Sequence, residues 1–175
     1  MDEDKVIAGA ELDYRTIFQL LNDQGIDYLV VGGVAVNIHG VPRMTYDVDL
    51  MVSLEGENLM RVVALMRRLG YRPRAPVNPE GLADPETRRA WVESKGMKAF
   101  TFQSHEETIA EIDVIIDQPI PYAELRGRAT LVDIDGVEVP VVSLKDLIAL
   151  KKCSGRRQDL SDIEHLSLID RGDVT

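Results

Sequence analysis

The sequence predicts the α/β class, in which helices and strands alternate along the chain. Three observations predict it. Helical-period and strand-period segments follow one another from about residue 10 to about residue 171, with no internal repeat and no low-complexity run. The clearest strand segments are short, four to eight residues, and apolar or alternating. The length, 175 residues, is that of one domain spanning 1–175, and a domain of this size buries roughly 70% of its unfolded surface.

Residues 10–24 carry Leu12, Ile17, Leu20 and Leu21 near helical spacing, and Gly25 stops the run. Tyr28–Val31 reads as a buried strand, Gly32-Gly33 as a tight turn, and 34–39 as the start of a helix that Gly40 and Pro42 end. Asp47–Val52 is a second strand, and 56–69 an amphipathic helix with Leu59, Val62, Val63, Met66 and Leu69 inward. The Pro-rich stretch 72–83 reads as a loop. Asp84 as N-cap and Pro85 at the first helical position start a helix over 85–95. Ala99–Gln103 and Ile109–Ile116 are strands, and Leu131–Asp135 with Val137–Val142 forms a hairpin around Asp135-Gly136. Ser143 starts a helix to about Lys152 through a capping-box-like pattern, and Asp159–Ile169 is the last helix.

Composition narrows the function classes. Apolar residues are 45% and charged residues 29%, as in an ordinary soluble globular protein. No run approaches the ~20 consecutive apolar residues that a membrane helix needs. The first ten residues, MDEDKVIAGA, do not resemble a signal peptide. Cys153 is the single cysteine, so no internal disulfide forms, which suits a reducing cytoplasm. The net charge of −10 disfavours a broad nucleic-acid-binding face, which needs cations to displace counterions.

The chemistry gathers around Asp47 and Asp49. Residues two apart on a strand share a face, so both carboxylates project together with Val48 behind them. Like charges this close repel unless something positive lies between them, and a divalent cation is the simplest neutraliser. Mg2+ favours carboxylate oxygen and leaves room for phosphates. A third carboxylate, Asp113, stands between Ile112 and Val114 on a later strand, with Glu111 on the same side. If that strand lies beside the first, three carboxylates can hold two ions for in-line displacement, with Asp113 nearest the nucleophile and able to take its proton. Gly32-Gly33, between strand and helix, lets backbone N–H groups approach an anion. Arg43 and Thr45 precede the carboxylates and are placed to orient a phosphate tail.

The run VVGGVAVNIHGVPRMTYDVDLMV resembles the DNA polymerase beta-like nucleotidyltransferase superfamily. The shared pattern is a glycine turn after a strand, Asp-hydrophobic-Asp further on, and an isolated acidic residue on a later strand. Thirteen residues separate Gly33 from Asp47, the longer end of that spacing. The Arg-x-Thr-x-Asp-x-Asp form is similar to a small bacterial branch that includes abortive-infection type E toxins. So is the segment holding Lys151, Lys152, Arg156, Arg157, Asp159 and Asp162. The resemblance covers roughly 28–52, 109–116 and 137–170, and 72–105 only loosely. It implies a mixed β-sheet flanked by helices, two Mg2+ ions (with Mn2+ a substitute) and a nucleoside triphosphate donor. The activity it implies is transfer of a nucleoside monophosphate to a hydroxyl acceptor, which a tRNA end, a protein or a small molecule would satisfy. About thirty residues follow the last predicted strand, fewer than the helical domain that many members append. The acceptor is therefore expected to be small, to bind at 72–105, or to come through a partner protein. A non-catalytic nucleotide- or partner-binding chain, such as a toxin–antitoxin subunit, is the alternative.

Each site residue has a plainer role. Arg43 could pair with Asp47 or Asp49, and Glu111 could be a solvated neighbour. Lys151, flanked by Leu147, Ile148 and Leu150, is the expected second phosphate contact, whereas Lys152 points elsewhere. Arg156, Arg157, Asp159 and Asp162 read as exposed pairs at a helix start. His39 reads as a helix-end residue with a satisfied hydrogen bond. Arg67, Arg68, Arg72 and Arg74 read as a solvated face before an RNA grip, and Cys153 and Trp91 as buried or partly buried.

Overall fold

A computed structural model describes residues 12–173. The readings of 1–11, including the first two positions of the helix expected over 10–24, lie outside the described residues. Among the described residues seven strands form one sheet: β1 (Tyr28–Val31), β2 (Asp47–Val52), β3 (Arg72–Pro73), β4 (Ala99–Gln103), β5 (Glu111–Ile115), β6 (Thr130–Ile134) and β7 (Val137–Val141). Their order is β3-β4-β5-β2-β1-β7-β6. β2 runs parallel to β5 and β1 parallel to β7, while the other neighbours are antiparallel. This is the mixed sheet of the predicted class.

Among the described residues seven α-helices accompany it: α1 (Tyr14–Asp23), α2 (Gly32–Ile38), α3 (Gly56–Arg68), α4 (Pro85–Lys95), α5 (Tyr122–Gly127), α6 (Leu144–Ser154) and α7 (Arg157–Asp170). The expected caps are present. Asp84 accepts from the Thr87 amide and Ser143 from the Asp146 amide, each satisfying an N–H that the helix start leaves open. At the hairpin, Asp135 and Gly136 both have positive φ (48° and 86°), the two-residue turn whose twist matches the flanking strands.

One core runs through the sheet. Val48, Leu50, Ile112, Val114, Phe100 and Phe102 are buried in the same apolar cluster as Leu59, Val62 and Met66 of α3. Strand parity therefore turns Asp47, Asp49, Glu111, Asp113 and Thr101 to the opposite, half-open face. That face carries the candidate site.

Three local readings change. α2 begins at Gly32 itself, so the glycines are its first turn and no separate turn precedes it. The stretch 72–83 contains β3 and a 3-10 helix, Pro79–Ala83, which packs against α3. α5 was not expected: six residues are too few to show a helical period.

Candidate functional site

The parallel pairing of β2 with β5 sets Asp47 opposite Glu111, Asp49 opposite Asp113, and Met51 opposite Ile115. The condition attached to Asp113 is met: its strand is the immediate neighbour of β2, and the three aspartates share one face. From the other side, β4 sets Thr101 opposite Asp113, and the Thr101 hydroxyl donates to Asp113 Oδ1.

The electrostatics are those of crowded carboxylates. Burial pushes Asp49 up to about 7, and the charges of Asp113 and Asp47 push the same way against Lys151 and Arg156. Asp47 is raised too, by burial first and by Asp113 second, with Arg74 opposing. Asp49 and Asp47 are thus short of positive charge.

Gly32 explains how Asp49 can lie so close to the backbone. Its φ of +65° is left-handed, and a Cβ there would fall 2.6 Å from Asp49 Cγ and 2.8 Å from Asp49 Cβ, closer still to Oδ2. Gly33 makes room differently: a Cβ there would lie 3.0 Å from Thr45 Oγ1 and 3.4 Å from Arg43 Cζ. Val31, the N-cap of α2, makes no side-chain cap, so the first N–H groups of that helix are not engaged by it.

A chain of alternating charge stands nearby. Arg43 Nη1 meets Asp162 Oδ2 at 2.5 Å, and Lys151 Nζ meets Asp162 at 2.9 Å and Asp159 at 3.1 Å. Arg156 Nε closes the chain on Asp159 at 3.0 Å. Both aspartates are 2% exposed and Lys151 is 5% exposed. The expectation that Asp159 and Asp162 form exposed pairs is therefore corrected. They face inward on α7, where α6 packs, and each is matched by cations that remove the cost of burial. Arg43 is likewise engaged with Asp162 and with neither Asp47 nor Asp49.

Burial alone would push Asp159 up, but hydrogen bonds from Arg156, Ser154 and Lys151 hold it down at about 2. An unfolded chain would titrate that group near 3.8. The carboxylate's contribution is therefore present above the unfolded value and lost as pH falls from about 4 toward 2, roughly 2 kcal/mol in all. Denaturation midpoints should fall over that window, and Asp159→Asn should flatten the decline. A variant with the parent's slope would show that Asp159 does not carry it.

A cavity of about 440 Å³ joins these parts. Gly32, Asp49 and Asp113 line it together with Lys151, Arg156 and Asp159, and the apolar Met51, Ile115, Leu147 and Leu150 line it too. Of the predicted residues, Gly32, Asp49, Asp113 and Lys151 line it. Asp47, Gly33, Arg43 and Thr45 stand outside its lining, in or beside the segment that leads into β2. Thr45 Oγ1 donates to the Asp47 carbonyl at 3.4 Å, and Tyr14 holds the Thr45 carbonyl at 2.9 Å. Glu111 pairs with Arg74. His39 Nε2 lies 2.7 Å from the Val142 carbonyl at the end of α2, as expected of a helix-end histidine. Cys153 is exposed, which corrects its expected burial, because α6 turns it toward the cavity's rim.

Sequence reasoning missed Thr101 and undervalued Arg156. Thr101 alternates with Phe100 and Phe102, a visible sign of an open-face position, but its partner is readable only once β4 is paired with β5.

The donor set is all hard oxygen, and the Gly32 cradle keeps backbone close to one carboxylate, which fits a hard divalent cation. Among the described residues, no group of three or more His, Cys, Asp or Glu side chains holds a metal by itself. An ion that keeps waters and substrate phosphates in its shell needs no such cage.

Among the described residues no helix is long and apolar enough to cross a membrane. Residues 13–175 match a family described as nucleotidyltransferases of unknown function, DUF6036. No curated protein matches the sequence. Among solved structures the chain is similar to LnuA, a lincosamide antibiotic adenylyltransferase bound to lincomycin. That match has a TM-score of 0.60 and 13% identity, over 90% of this chain and 97% of that one. It is also similar to the antibiotic-resistance factor ANT(2'')-Ia, with a TM-score of 0.58 and 16% identity over 90% and 81%. A third is an antigenic nucleotidyltransferase-like protein from Paracoccidioides brasiliensis, with a TM-score of 0.54 and 19% identity over 93% and 74%. At these identities the likeness is one of fold.

Proposed function

The chain belongs to that family of nucleotidyltransferases, and we propose that it moves a nucleoside monophosphate from a nucleoside triphosphate to a hydroxyl acceptor, releasing pyrophosphate. The observation that carries this reading is the register that sets Asp49 beside Asp113, with Asp47 on the same face and the Gly32 backbone against Asp49. Among the described residues no Lys, Arg or His forms a salt bridge with Asp47, Asp49 or Asp113; Lys151 is already matched by Asp159 and Asp162.

Asp47, Asp49 and Asp113 would hold two divalent cations, Mg2+ or Mn2+, whose charge offsets the phosphates and acidifies the attacking hydroxyl. Asp113 takes the proton of the acceptor hydroxyl. The freed oxygen attacks the α-phosphorus, the bond from that phosphorus to the bridging oxygen breaks, and pyrophosphate leaves with the electron pair. The Thr101 hydroxyl, already on Asp113 Oδ1, fixes the carboxylate and leaves Oδ2 for the proton. Gly32 and Lys151 border the phosphates. Gly33, Thr45 and Arg43 bear on the nucleotide through the segment that delivers Asp47 to the site.

The acceptor in this reading is a small hydroxyl-bearing molecule. ANT(2'')-Ia has been solved with adenylyl-2''-tobramycin and LnuA with lincomycin. The net charge of −10 also disfavours a long polyanion. The likeness to the abortive-infection branch is supported by the inward-facing Lys151, Asp159 and Asp162, and a cytoplasmic setting by the free thiol and the triphosphate donor.

The test is incubation of the chain with each triphosphate, labelled at the α- or γ-phosphorus, Mg2+ and a cell extract. We expect α-label on a small metabolite, γ-label in pyrophosphate, and no transfer with a chelator present. Label on tRNA or protein would change the acceptor. Transfer of γ-label, or none of either, would overturn the reading.

A further inference from the structure

We infer that Arg156 is the side chain that grips the triphosphate of the donor nucleotide, and that Asp159 is the residue that positions it. This rests on the functional reading above and names a residue that it leaves out.

Charge sets the first requirement. Asp47, Asp49 and Asp113 place three carboxylates where a triphosphate tail must lie, so other residues lining the cavity have to supply cations. Three cationic side chains line the cavity: Lys98, Lys151 and Arg156. Lys151 is buried and held by two aspartates, so most of its charge is already matched and two of its three N–H donors are engaged. Lys98 lies just before β4, three residues from Thr101, where its carbonyl accepts from the Asp117 amide. Arg156 differs from both. Its side chain is 76% exposed, yet one edge is fastened. The Asp159 Oδ2 atom accepts from Arg156 Nε at 3.0 Å and from the Arg156 backbone N–H at 3.1 Å.

That fastening matters because a guanidinium offers a planar fork. With Nε occupied, the two terminal nitrogens remain, and they make no hydrogen bond to another described residue. A bidentate fork presented to open space, with its rotamer already restricted, is suited to phosphate oxygens at low entropic cost. The group lies within the field of the carboxylate site. After the Asp159 hydrogen bond and the opposing effect of burial, Asp49 and Asp113 are among the charges that strengthen its hold on its proton. Asp159 can perform this service because Lys151 occupies its other oxygen, Oδ1.

The experiment is calorimetric titration of the wild-type chain, Arg156→Ala and Arg156→Lys. The probes are the four nucleoside triphosphates, their monophosphates, and inorganic tripolyphosphate. Loss of a charge-assisted bidentate contact should weaken triphosphate and tripolyphosphate binding by about 10- to 100-fold. Monophosphate binding should stay within about threefold, and Arg156→Lys should recover part of the loss. In turnover, the KM for the triphosphate should rise more than kcat falls. Arg156→Ala takes a hydrogen bond from buried Asp159, so its thermal midpoint is expected to fall modestly with the chain still folded at the titration temperature, and Arg156→Lys, which keeps a cation beside Asp159, to fall less. Unchanged triphosphate binding in Arg156→Ala, or equal losses for mono- and triphosphate, would overturn the assignment of Arg156 alone. A wild-type chain that binds no triphosphate would overturn the functional reading and this one together.

Discussion

Asp49→Asn is expected to lower transfer by about three orders of magnitude or more while the folded chain survives with an equal or higher thermal midpoint. The two halves of this result have one cause. Asp49 is buried and its carboxyl is pushed up to about 7, first by burial and then by Asp113 and Asp47. Its charge therefore works against the fold, and an amide of the same shape removes that repulsion. In a domain of this size each 1 kcal/mol regained is worth about 2–4 °C. The same charge is what would hold cations and phosphates in the reacting geometry, an electrostatic contribution whose loss costs about 100- to 1,000-fold even for a single neutral donor. Differential scanning calorimetry beside a pyrophosphate-release assay tests both. A variant that transfers at the parent's rate would remove Asp49 from the site. One that unfolds would make it a structural residue.

Gly32→Ala should damage fold and site together. The backbone at Gly32 is left-handed, which costs an L-residue roughly 1–2 kcal/mol before any contact is counted. The new methyl would also sit 2.6 Å from Asp49 Cγ, so the carboxylate or the start of α2 has to move. Displacement of about 1 Å at a reacting centre costs on the order of 100-fold. We expect a lower thermal midpoint and transfer reduced by about that factor or more. Gly33→Ala is the informative comparison. Its φ is not left-handed, and its Cβ would meet Thr45 Oγ1 at 3.0 Å, so the effect should be smaller on both measures. Equal effects at the two positions would mean that helix-start flexibility, and not the Asp49 contact, selects glycine.

What was legible in the sequence follows from which forces are local. Asp47 and Asp49 could be placed on one face because strand parity is a two-residue rule, and Asp113 could be assigned the matching face on the same grounds. That β2 and β5 are neighbours is a matter of chain topology. The sequence pattern left it conditional until the parallel pairing was seen. The caps at Asp84 and Ser143 were readable because a side chain three residues from its partner amide needs no tertiary context. The Arg43–Asp162–Lys151–Asp159–Arg156 chain was not readable. It joins residues 119 apart, and an aspartate near a helix start looks identical whether solvated or buried. Lys151 shows the limit well. Its apolar neighbours marked it as an inward lysine, yet what it meets first is its own protein.

The placement of β2 and β5 has a mechanical consequence. Each has a hydrogen-bonded strand on both sides, so the amides beneath the three aspartates belong to the part of the molecule that opens last. Arg156 instead hangs from the joint between α6 and α7, beside Gly155 with its left-handed backbone. A donor entering the cavity would meet a stiff anvil on one side and a jaw on a short pivot on the other. Amide exchange would be slow and insensitive to nucleotide in the strands, and nucleotide-dependent at the joint.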